Sequence, residues 1–114
     1  MSQRVVRVNE LLKREISHVL HTRYQAESVA ITILAVDTYP NLRKAIVRFA
    51  THGDNQARVS AERFFERRGE GIRREVGAVV RLKYLPHLTF IYDEGADAGA
   101  HINKLLDELG LEGE

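Results

Sequence analysis

The chain has 114 residues, 44% of them hydrophobic and 29% charged, which suits one domain that buries about two thirds of its unfolded surface without staples. The absence of cysteine excludes disulfides, thiolate metal sites and cysteine nucleophiles; no run nears the roughly 20 apolar residues of a membrane span, and the start has no signal-peptide core, so a cytoplasmic protein without a membrane partner is expected. The net charge of +1 hides a division: residues 1–92 hold 16 of 17 Lys and Arg against 9 of 16 Asp and Glu, for +7, while residues 93–114 hold one against seven, for −6.

Such a basic body favours a polyanion, because binding phosphates releases condensed counterions. From residue 4 to 21, Val5, Val8, Leu12, Ile16, Val19 and Leu20 fall on one helical stripe, with Ser2 available as N-cap. Arg7, Arg14, His18 and His21 gather on another face as a cationic stripe, the alternative being an ordinary solvated face. His18 and His21 have a spacing that could share a metal, but no third ligand accompanies them, and none is expected. Asn9 projects near the apolar stripe, either to pin a neighbouring loop or to lie at the stripe's edge.

Residues 29–36 are apolar at nearly every position, and residues 44–51 alternate, with Ala45, Val47 and Phe49 on one side. Tyr39-Pro40-Asn41 between them marks the turn of a hairpin. Asp54 or Asn55 can cap the next helix. In that helix Ala61, Phe64 and Phe65 continue, after Gly69-Glu70-Gly71, into Ile72, Val76, Val79 and Val80. Two glycines within three residues are expected to bend or interrupt it, since each costs about 1 kcal/mol relative to alanine. Arg67, Arg68, Arg73 and Arg74 crowd this kink, and a helix starting there would offer N–H groups to a phosphate. The competing account is a solvated face laced by Arg67–Glu70 and Glu70–Arg74 pairs.

Residues 81–93 alternate again, with Leu82, Tyr84, Leu88, Phe90 and Tyr92 on one face and an irregularity at Pro86. A helical return between the second and third strands makes them parallel and the sheet mixed. Residues 95–99 form a small-residue linker, and Ile102, Leu105, Leu106 and Leu109 mark a short C-terminal helix. No nucleophile elbow, phosphate-loop lysine motif, helical zinc motif or dinucleotide fingerprint is present, and the five histidines are scattered over different elements. A catalyst is therefore not expected, nor a cofactor.

The order helix, strand, strand, kinked helix, strand resembles ribosome-binding factor A over nearly the whole chain. The resemblance rests on Arg4-Val5-Val6-Arg7-Val8-Asn9, on the strand from Ala30 with Leu42-Arg43-Lys44-Ala45, on Gly71-Ile72-Arg73, and on Arg81-Leu82-Lys83-Tyr84-Leu85-Pro86-His87-Leu88-Thr89-Phe90-Ile91-Tyr92-Asp93. It implies an α+β, type II K-homology fold that binds the small ribosomal subunit and assists late assembly and maturation of its RNA, often in the cold. Where the family usually has Ala-x-Gly at the kink, this chain has Gly69-Glu70-Gly71; where the family has a Ser-x-Asp-Leu turn, it has Tyr39-Pro40-Asn41-Leu42. Gly110-Leu111-Glu112-Gly113 is a decoy, lying at an acidic terminus with no helix after it.

The expected organisation is a K-homology-like RNA-binding domain over residues 1–93 and an acidic tail with a short helix over 94–114. Arg67, Arg68, Arg73 and Arg74 would contact phosphates, with Arg7, Arg14, Arg81 and Lys83 extending the surface. The protein is expected to be a monomer partnered by the small subunit and its RNA, with ribosomal proteins as further contacts. A general K-homology module for single-stranded nucleic acid and a protein-interaction domain using the C-terminal helix are the rivals.

Overall fold

The computed structural model describes residues 2–94. Helix α1 spans Gln3–Arg23, and α2 is a single turn, Gln25–Ser28. Strands β1 (Ile31–Thr38) and β2 (Lys44–Thr51) form an antiparallel hairpin, α3 (Asn55–Gly77) crosses over, and β3 (His87–Tyr92) pairs parallel with β2. The sheet order is β1-β2-β3, the mixed α+β sheet anticipated above and consistent with a type II K-homology arrangement. The proposed C-terminal helix at Ile102 to Leu109, with most of the acidic tail, lies outside the described residues.

Local chemistry sets most boundaries. The Ser2 hydroxyl accepts from the Val5 N–H at 3.2 Å and starts α1. Asp54 does the same for α3, accepting from the Ala57 N–H at 3.2 Å. Tyr24 and α2 were not foreseen; there the Ser28 hydroxyl, wholly buried, donates to the Leu20 carbonyl at 2.9 Å and satisfies an end carbonyl of α1.

The apolar stripe of α1 and the Ala61, Phe64, Phe65, Ile72 and Val76 face of α3 pack on one side of the sheet. From β2 that side receives Ala45, Val47 and Phe49, and from β3 the residues in register with them, Leu88, Phe90 and Tyr92. In β1 a bulge between Ile33 and Ala35 changes the phase, so that Ile31 and Ile33 point inward before it and Val36 after it. This explains why the first strand looked apolar at nearly every position and why Leu34 is left exposed. Phe65 links the layers: its ring stacks on Phe90 with centroids 4.2 Å apart and meets Phe49 at 4.7 Å. Asn9 takes the first of its two alternatives, its side-chain oxygen accepting from the Thr38 N–H at 2.8 Å and tying α1 to the end of β1.

Two expectations are corrected. Helix α3 runs unbroken through Gly69, Glu70 and Gly71, so the kink does not interrupt it and no second helix start exists there. Neither glycine has a positive φ. Gly69 serves close approach instead, since a Cβ there would lie 3.3 Å from the Phe90 ring, whereas one at Gly71 would make an ordinary contact with the Tyr24 hydroxyl at 3.4 Å. The third strand is shorter than residues 81–93, because Val79 to Pro86 form an irregular connection in which Val79, counted above in the apolar pattern of the helix, is exposed.

Candidate nucleic-acid interface

The eight candidate cations do not form one cluster. Arg67, Arg68 and Arg74 face an open cleft of about 630 Å³ where α3 meets the C-terminal end of α1, together with His18, Thr22 and Arg23. The spacing follows from the helix: positions 67, 71, 74 and 78 recur on one face, beside buried Phe64 and turned away from buried Ile72 and Val76. Gly71 lowers the floor of the cleft beside Tyr24.

Two carboxylates also line it, and both have fixed partners. Glu75 accepts the Tyr24 hydroxyl at 2.6 Å and lies 3.2 Å from Arg23, a contact that is electrostatic rather than a well-aligned hydrogen bond. That hydrogen bond, with desolvation and the Glu75 charge, raises the Tyr24 pKa above its ordinary value. Glu70 is held by Arg73 at 3.1 Å, so neither the Arg67–Glu70 nor the Glu70–Arg74 pair is formed. Among the described residues Arg67, Arg68 and Arg74 make no ion pair and are exposed, leaving a positive cleft whose acids are already engaged.

Arg73 does not belong to this group. Its Nε donates to the Pro86 carbonyl at 2.9 Å and an Nη to the Leu85 carbonyl at 2.8 Å. With Glu70 on its remaining nitrogen, the guanidinium is committed to fixing the approach to β3. Its phosphate role is thereby reassigned to architecture.

Arg7, Arg81 and Lys83 meet elsewhere, in a shallow groove at the N-terminal end of α1 joined by Arg4. Arg7 and His18 are eleven positions apart on α1, so groove and cleft are separated by about 16 Å along the helix axis. Arg14 lies between them, largely exposed, with its nearest carboxylate, Glu15, at 3.5 Å, and lines neither. The two histidines diverge: His18 faces the cleft, while His21 Nε2 lies 3.2 Å from the Ile31 carbonyl. Among the described residues no group of three or more metal-ligating side chains comes together, and no helix is long and apolar enough to cross a membrane.

Sequence reasoning missed Arg23 and Tyr24 in the cleft, Arg4 in the groove and Arg43 over the Tyr84 ring. Neither Arg23 nor Tyr24 carried a signal: Arg23 falls five positions past His18, about 140° round the helix from the cationic stripe, and Tyr24 lies past the periodic stretch.

The family model for ribosome-binding factor A matches residues 4–106. A ribosome-binding factor A of Opitutus terrae is 38% identical over 109 residues, covering 96% of this chain and 89% of the relative. One from Natranaerobius thermophilus is 35% identical over 106 residues, covering 92% and 81%. The crystal structure of ribosome-binding factor A from Thermus thermophilus superposes with a TM-score of 0.67 at 18% identity, over 77% of this chain and 94% of that one.

Proposed function

This chain belongs to the ribosome-binding factor A family, and on that premise we propose that it binds the small ribosomal subunit and assists late assembly and maturation of its RNA, by RNA binding without catalysis. The observation that carries the RNA-binding part is the cleft in which Arg67, Arg68 and Arg74 stand without ion pairs among the described residues while Glu70 and Glu75 are held by Arg73, Tyr24 and Arg23. Guanidinium groups fit phosphate bidentately, and a cleft with its carboxylates neutralised does not repel the backbone it receives. The groove of Arg7, Arg81 and Lys83 would extend the contact along α1.

Co-sedimentation tests the reading. The full chain should pellet with isolated small subunits, and not with large subunits, at salt concentrations that strip it from naked RNA. Equal pelleting with both subunits would reduce it to a general nucleic-acid module. Retention that persists after Arg67 and Arg74 are both changed to alanine, with no change in salt dependence, would move the interface away from the cleft.

A further inference from the structure

Tyr84 is 46% exposed, on the connection between α3 and β3. The Arg43 guanidinium lies 4.6 Å from its ring centroid and the Lys83 ammonium 5.5 Å from it. The platform is built from both sides. Below it, Arg73 grips the Leu85 and Pro86 carbonyls, and Pro86 is fully buried. Beside it, Leu42 adopts a left-handed backbone with φ 63°, a costly conformation for a leucine. The Asn41 side chain accepts from the Arg43 N–H at 2.9 Å, and the Arg43 carbonyl accepts from the His87 N–H at 2.8 Å, so the strained turn is locked where it presents Arg43 over the ring. Among the described residues no carboxylate lines the depression at Tyr84, which Arg4 and Lys83 face, or the adjoining groove of Arg4, Arg7, Arg81 and Lys83.

We propose that Tyr84 is a stacking platform for an unpaired RNA base, with Arg43 and Lys83 taking the phosphates on either side of that base. The proposal rests on the RNA-binding reading above and adds a second point of contact, distinct from the arginine cleft. An acidic protein would satisfy the cations but leave the aromatic face unused; a single strand uses both, because every base has a π-face and every linkage a charge. The two cations sit on flexible stems, so each can leave the ring for a flanking phosphate when a base takes its place.

The chain contains no tryptophan, so Tyr84→Trp in the full-length protein gives one indole that reports on this position alone. Decauridylate should quench its emission, whereas a ten-unit abasic ribose-phosphate of equal charge should not. Tyr84→Ala should weaken decauridylate binding roughly 5- to 150-fold, the range for one stacked base, while Tyr84→Phe keeps its affinity. Equal quenching by the abasic strand would overturn the stacking role and leave only charge. Emission blind to decauridylate, in a chain that still sediments with small subunits, would overturn the platform and leave the proposed function standing. Failure of the wild-type chain to sediment would instead strike that function.

Discussion

Replacing Gly71 by alanine should stabilise the protein. Because α3 is unbroken and Gly71 has no positive φ, the helix-propensity difference of about 1 kcal/mol in favour of alanine applies there. The added Cβ would meet the Tyr24 hydroxyl at 3.4 Å, an ordinary contact that takes back little of the gain. A net gain of about 0.5–1 kcal/mol raises the Tm of a domain this size by roughly 3–6 °C. The same change at Gly69 should gain less, since its Cβ would lie 3.3 Å from the Phe90 ring, and any shift of that ring disturbs its stack on Phe65 at 4.2 Å. Thermal and urea unfolding of the two variants, at equal concentration, is the assay. A Gly71→Ala protein less stable than wild type, or a Gly69→Ala protein as stabilised as its neighbour, would refute an uninterrupted helix whose glycines differ only in what faces them.

Arg73→Ala should cost about 1–3 kcal/mol by urea unfolding, because two carbonyls near β3 lose a charged donor, and its effect on the salt slope of RNA binding should be negligible. By contrast, Arg67→Ala combined with Arg74→Ala should leave unfolding within about 0.5 kcal/mol of wild type and flatten the slope of log K against log salt by about 0.7 for each single-strand phosphate that is no longer neutralised. Tyr24→Phe should remove a pH-dependent contribution. Since the folded pKa of Tyr24 is raised above 10.0, its hydrogen bond to Glu75 stabilises fully below that pH and is lost as pH climbs through the higher folded value. The stability gap between wild type and variant should therefore be flat from neutral pH to about 10 and close above it; a gap that stays constant in alkali would exclude the linkage.

The sheet, its mixed pairing and the two amphipathic helices were legible because each rests on periodicity and capping, which act over a few residues. Leu34 escaped because a bulge depends on the partner strand, which no local pattern encodes. Gly69 and Gly71 misled as an interruption because propensity speaks of the isolated helix, whereas the tight neighbour of Gly69 is Phe90, 21 positions later in the chain. The candidate arginines were legible as a set and not as a division. Sequence gives charge, but only the fold shows that Arg73 turns inward to two carbonyls while its neighbour Arg74 stays in the cleft.

The parallel pairing of β3 with β2 also governs the order in which the molecule acquires its binding surface. The hairpin of β1 and β2 closes over a short turn and forms locally, but Phe49 meets Tyr92 only after a loop of roughly 40 residues has closed, an entropic cost of about 3 kcal/mol that is offset late. Tyr84, Lys83 and Arg81 lie on the stretch that this last strand pulls into place. During synthesis the helical cleft can therefore take shape before the sheet is finished, while the tyrosine platform must wait until β3 has emerged and paired. A chain stalled short of residue 87 would present the arginines without the platform.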